Sequence, residues 1–139
     1  MQANQGTNVQ DCVFCKIVSG EIPDYRVWED DKFVAFLDIH PISDGHTLVI
    51  PRAHTDSVFD LVNQDYVALF EIGKSLAPAI QKVTKCKRVG MALEGLSVPH
   101  VHLHLVPVNN VNDLDPNKAH SLSPESMADM QTKLKAALS

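Results

Sequence analysis

Three histidines stand at alternate positions in His100-Val101-His102-Leu103-His104, and Leu105-Val106-Pro107 follows them. Imidazoles alternating with apolar β-formers predict a strand, where residues i, i+2 and i+4 share a face. At a rise of ~3.3 Å per residue, neighbours on that face stand ~6.6 Å apart. His100, His102 and His104 then line one side and Val101, Leu103 and Leu105 the other, over a strand expected from His100 to Val106 and ended by Pro107. Core packing has no use for three imidazoles in a row. Three chemistries are open to them. They can form a solvated polar face. They can chelate one metal ion through His-x-His. Or one neutral imidazole can act as a nucleophile, since its ordinary pKa of ~6.5 leaves it uncharged near pH 7.

Other residues carry weaker signals. Cys12-x-x-Cys15 has the spacing of half a zinc site. Two ligands do not close a site, and two buried thiols packing as small apolar groups give the same pattern. Asp38 follows an apolar run. A carboxylate there can accept both hydroxyls of a ribose, or it can cap its own loop. His46 opens a second apolar run, His46 to Pro51.

These residues need a scaffold, and the rest of the chain supplies its outline. Val13, Phe14 and Ile17 fall at helical spacing before Gly20, a natural helix stop. Tyr25–Trp28 and Lys32–Leu37 read as two strands around the polar tip Glu29-Asp30-Asp31, and His46–Pro51 reads as a third. Residues Gln64 to Val83 carry an apolar stripe for a long helix, with Pro78 inside it. Cys86–Leu93 is a fourth strand and the histidine run a fifth. Ser123-Pro124 then opens a last helix through Leu138 as N-cap and N1. Short links between the early strands favour antiparallel pairing and an α+β class.

The run His100 to Val106 resembles the His-φ-His-φ-His-φ-φ signature (φ apolar) of the histidine triad (HIT) family of nucleotide hydrolases and transferases. Gly45-His46-Thr47-Leu48-Val49-Ile50-Pro51 is similar to that family's Gly-His-x-Leu-Val-Ile-Pro, with Arg52 where a Lys is usual. Phe36-Leu37-Asp38-Ile39 is similar to its Phe-x-Asp-Ile. The resemblance implies an antiparallel five-stranded sheet with one long helix and a C-terminal helix, usually paired as a homodimer. It implies attack by His102, a phosphate or leaving-group role for His104, a supporting hydrogen bond from His46, and phosphate contacts from Ser97 and the backbone near Gly95. Val13, Phe14, Ile17, Phe36 and Ile39 would wrap a purine base and Asp38 would hold the ribose. Some members complete Cys12 and Cys15 with a histidine after the central strand and with the first triad histidine. Here those are His54 and His100, and the set would hold one structural zinc. No organic cofactor is implied.

The implied activity is hydrolysis of nucleoside 5′-monophosphate derivatives, of the adenosine phosphoramidate type, through a nucleotidyl-histidine. Alternatives are hydrolysis of dinucleoside polyphosphates, a nucleotide-binding sensor with little turnover, and a metal hydrolase using His100, His102 and His104 as ligands. One stretch departs from the family. Met91 to Pro99 is short, lacks the usual Asn, and has Leu96 where a Gln is usual, in the region that handles phosphate and leaving group.

Composition bounds the rest. With 139 residues, 45% hydrophobic and 21% charged, residues 11–139 suffice for one domain behind a flexible leader at 1–10. A net charge of −5 argues against binding a nucleic-acid backbone, though a small anionic ligand remains compatible. No run approaches the ~20 apolar residues of a membrane span, and no apolar stretch near the N-terminus suggests a secretory signal. Three cysteines suit a reducing compartment, so a cytoplasmic protein is expected.

Overall fold

The computed structural model describes residues 11–139; the leader expected at 1–10 lies outside the described residues. The elements follow in the order α1 (Val13–Ser19), β1 (Arg26–Glu29), β2 (Phe33–Leu37), β3 (Thr47–Pro51), a 3-10 turn (Val58–Asp60), α2 (Asn63–Thr84), β4 (Arg88–Ala92), β5 (Leu103–Val108), a second 3-10 turn (Pro116–Lys118) and α3 (Pro124–Leu138). The strands form one sheet in the order β1-β2-β3-β5-β4, with every neighbouring pair antiparallel. This is the α+β architecture expected, and it sets the histidine strand β5 inside the sheet.

Local chemistry fixes the element ends. Gly20 takes φ 85° after α1, and its N–H donates to the Ile17 carbonyl at 3.1 Å. The Ser123 hydroxyl accepts from the Ser126 N–H at 3.1 Å, with Pro124 opening α3. Helix α2 runs on through Pro78 to Thr84. Gly73, in mid-helix, lets α2 approach β5 closely. A Cβ there would stand 3.0 Å from Leu103 Cδ2 and 3.5 Å from Leu105 Cδ2. Glycine in a helix interior costs about 1 kcal/mol relative to alanine, a penalty that closer packing offsets.

The sheet separates two apolar clusters. On one face, Leu69, Ile72, Leu76 and Ile80 of α2 and Met127, Met130 and Leu134 of α3 pack on Val49, Leu103 and Leu105. On the other, Cys12, Phe14 and Ile17 cover Val34, Phe36, Leu48 and Ile50.

The histidine strand differs from its sequence reading at both ends. Pairing starts at Leu103, not at His100, because the ladder to β3 covers only Leu103, His104 and Leu105. Upstream the chain stays extended but bonds to a loop, with the Val101 N–H donating to the Thr55 carbonyl at 2.8 Å. Pro107 does not end the strand; it pairs with Val89 of β4. Its carbonyl accepts from the Ser43 hydroxyl at 2.7 Å. In a strand a residue's N and O point the same way, so the missing N–H falls where β3 has already ended and removes no ladder bond. The other strand ends fall within one or two residues of expectation.

Candidate active site and metal centre

His100, His102 and His104 do share the face opposite α2. The Phe14 ring meets His102 at 4.9 Å and His100 at 5.8 Å between centroids, and His102 meets His104 at 4.9 Å. His102 is only 5% exposed, and its Nδ1 lies 2.7 Å from the His100 carbonyl oxygen. A carbonyl can only accept, so Nδ1 carries the proton and Nε2 keeps its lone pair. Among the described residues nothing hydrogen-bonds that Nε2. Burial lowers the His102 pKa, partly opposed by the hydrogen bond to His100 and the charges of Asp38 and Glu94. The imidazole is therefore neutral at pH 7, with a lone pair available for attack.

His46 reaches the same face from the start of β3. The Ile42 N–H donates to its Nδ1 at 3.0 Å, and its Nε2 lies 2.9 Å from His104 Nδ1. Burial is the main cause, and the neighbouring imidazoles a lesser one, of pKa values pushed down to about 4 for both His46 and His104. Both rings are neutral at pH 7, and an amide can only donate. So His46 holds its proton on Nε2 and donates it to His104 Nδ1, which leaves the His104 proton on its own Nε2.

Asp38 completes this group. Its Oδ1 accepts from the His40 N–H at 2.9 Å and its Oδ2 lies 3.6 Å from His46 Nε2. Ligand atoms of Asp38, His46 and His104 lie within 4.8 Å of one another. They still make a poor metal site, because ligation through His46 Nε2 would break the bond from Ile42. Nor do His100, His102 and His104 converge as a ligand set: among the described residues, His100 groups with Cys12, Cys15 and His54, and His104 with Asp38 and His46.

A cavity of about 340 Å³ opens beside these imidazoles. Phe14, Ile17, Phe36 and Asp38 line it, and so do Val13 and Ile39. Ser97, His102 and His104 border the same space. Gly95 does not; it lines a second cavity of about 210 Å³, and His102 belongs to both. Gly95 has φ 78° with no neighbour near a would-be Cβ, so conformation rather than crowding requires glycine. Sequence reasoning missed Leu48, Asp24 and His40 on the first cavity. Leu48 was accessible through alternation, two residues after His46. Asp24 and His40 come from loops, which carry no periodic signal.

The remaining ligands meet nearby. Cys12 caps α1, His54 lies in the loop after β3, and His100 precedes β5. Their ligand atoms and that of Cys15 lie within 4.8 Å of one another. His100 Nδ1 stands 3.4 Å from Cys12 Sγ, 3.6 Å from Cys15 Sγ and 3.2 Å from His54 Nδ1, while Cys15 Sγ to His54 Nδ1 is 3.2 Å. Tetrahedral zinc with ordinary Zn–S and Zn–N bonds sets its donors ~3.3–3.8 Å apart. His100 Nε2 donates to the Pro51 carbonyl at 2.9 Å, which leaves the Nδ1 lone pair aimed at the other three ligands. Burial, and after it Cys12, pushes the Cys15 thiol up to about 12, so a thiolate there needs a cation. The four residues fit a closed zinc site.

The HIT domain family model matches residues 19–111. An uncharacterized HIT-like protein of Borreliella burgdorferi is 36% identical over 104 residues, covering 70% of this chain and 75% of that one. The adenosine 5′-monophosphoramidase of Saccharomyces cerevisiae is 36% identical over 97 residues, covering 69% of this chain and 61% of the yeast protein. A crystal structure of a zinc-bound histidine triad family protein from Mycobacterium smegmatis superposes with a TM-score of 0.78 at 32% identity, over 94% of this chain and 95% of that one. By its motifs, its sheet and these likenesses, this chain belongs to the HIT domain family.

Proposed function

We propose that the protein hydrolyses nucleoside 5′-monophosphate derivatives, adenosine phosphoramidates in particular, through a nucleotidyl-histidine on His102. The observation that carries this is the fixed tautomer of His102, with Nδ1–H held by a carbonyl and Nε2 without a partner among the described residues. Nε2 attacks the α-phosphorus and the P–N bond to the leaving amine breaks. The departing nitrogen takes its proton from water on the cavity side, while the His104 Nε2–H, the single proton on that neutral ring, donates a hydrogen bond to a phosphate oxygen. Water then attacks the nucleotidyl-histidine, releases the mononucleotide and frees His102. Phe14, Ile17 and Phe36, with Val13 and Ile39, flank the purine, and Asp38 accepts from the ribose. The Ser97 hydroxyl and the backbone near Gly95 serve the phosphate oxygens. The name of the yeast relative supports an amidate substrate.

Cys12, Cys15, His54 and His100 would hold a structural zinc, which ties α1 to the segment carrying His102 and takes no part in the reaction. A second copy of the chain fits against the edge strand β4 and α2, where Met91, Tyr66 and Val67 expose apolar surface. The cysteine content suits a cytoplasmic setting. Among the described residues no helix is long and apolar enough to cross a membrane.

The test is steady-state hydrolysis of an adenosine 5′-phosphoramidate by wild type and His102→Ala, with folding of both confirmed. We expect wild-type turnover and a loss of at least about 10³-fold in the folded variant. An inactive wild type, or an active His102→Ala, overturns the reading. The exposed Leu96 in the shortened loop favours the sensor as the second reading; it predicts nucleotide binding without turnover.

A further inference from the structure

We propose that the second cavity is the leaving-group subsite, and that Asp56 and Glu94 make it select a leaving amine carrying a positive charge of its own. This rests on the nucleotidyl-histidine reading above. The α-phosphorus must sit against His102 Nε2. The nucleoside then fills the first cavity, and the second, which shares His102, is open to the group that departs.

Its lining decides what fits. The loop after β3 brings Asp56, Ser57 and Phe59, and the loop between β4 and β5 brings Glu94 and Leu96. Neither carboxylate belongs to an ion pair among the described residues. Among the described residues no Lys or Arg lines either cavity. A second sign of a ligand is His102 itself, nine-tenths buried, with Nε2 lacking a partner among the described residues. Glu94 and His102 line the same cavity, which sets the carboxylate on the side from which the leaving group departs. Phe59 and Leu96, each 83% exposed, offer apolar flanks to an aliphatic chain. Ser57 Oγ accepts from the Phe59 N–H at 3.2 Å and holds that loop in shape.

A departing sulfate or phosphate would place negative charge between two unneutralised carboxylates and find no cation to receive it. An amine finds neither obstacle. An amine whose chain ends in an ammonium gains two charge-assisted contacts. The substrate class is thus an AMP amidate of a diamine or of another chain ending in an ammonium. The P–N bond breaks, the reacting nitrogen takes a proton from water, and the distant ammonium keeps its charge throughout.

The experiment compares kcat/KM for three AMP amidates of equal chain length: pentyl, 5-aminopentyl and 4-carboxybutyl. Wild type should prefer the aminopentyl over the carboxybutyl amidate by about tenfold or more, with the preference shrinking as salt is added. Asp56→Asn with Glu94→Gln should bring the ratio near one, and Glu94→Lys should invert it. The readout is a ratio within each variant, so a general loss of rate does not imitate it. Equal rates in wild type, or a preference that survives neutralisation of both carboxylates, overturn the subsite and leave amidate hydrolysis standing. Failure of wild type to cleave any of the three overturns both.

Discussion

Leu103 and Leu105 turn to one face of β5, and His102 and His104 turn to the other, a backbone's thickness away. Both sides are buried, but by different means. Two long helices seal the leucine face, where Leu69, Leu103 and Leu105 are fully buried. The histidine face is covered by the seven-residue α1 and by Val98 of the loop before β5, and it keeps two cavities open. Burial on the first face removes apolar surface from water, which stabilises the fold. On the second it strips solvent from imidazoles, which lowers their pKa and holds them neutral. One strand thus carries stability on one side and neutral, desolvated imidazoles on the other.

The largest effect should come from the leucine face. Leu103→Ala should cost about 2–5 kcal/mol, read as a fall in the urea midpoint. Turnover per folded molecule should stay close to wild type. A folded Leu103→Ala protein without activity would mean that the two faces are not separable.

Next comes the Cys12, Cys15, His54 and His100 cluster, which links α1 to the histidine face. Cys12→Ser should abolish stoichiometric zinc in protein purified without added metal, and should lower the thermal midpoint. Hydrogen exchange should quicken first at the α1 amides, including the Lys16 N–H that donates to the Cys12 carbonyl. Unchanged protection in α1 would show that the cover over the histidines does not depend on the cluster.

The smallest effect is electrostatic. His46 and His104 have folded-state pKa values near 4, below the ~6.5 of an unfolded chain. Between those values the unfolded chain binds protons and the folded one does not. Their contribution is therefore complete above about pH 6.5 and is lost as pH falls towards 4. Chemical denaturation across this window should show the slope, and His46→Gln should flatten it. The acid limb of kcat/KM should likewise lie below 6.5, since the His102 pKa is lowered.

Alternation made much of this legible. It separated Val101, Leu103 and Leu105 from the three histidines, and motif likeness then brought His46, Asp38, Cys12, Cys15 and His54 to the same face. What alternation could not supply was the bonding partner of each ring nitrogen. The carbonyls of His100 and Pro51 and the amide of Ile42 set those tautomers, and backbone groups leave no trace in residue types. The start of β5 escaped for a related reason. His100 to His102 have strand-like spacing, but the partner of Val101 is a loop carbonyl at Thr55. Asp56 and Glu94 share a cavity though they stand 38 residues apart in sequence, which no local pattern encodes.

The relay from Ile42 through His46 to His104 begins at a peptide amide, which does not ionise at working pH. The amide gives the relay a direction but no proton to pass. His104 holds a single proton, on Nε2, and surrendering it would leave an imidazolate, as the same step would at His46. The pair therefore keeps both its protons through the reaction and serves as a fixed donor facing the cavity. The proton that the departing nitrogen needs has to come from water, so release of that group waits on solvent reaching the pocket.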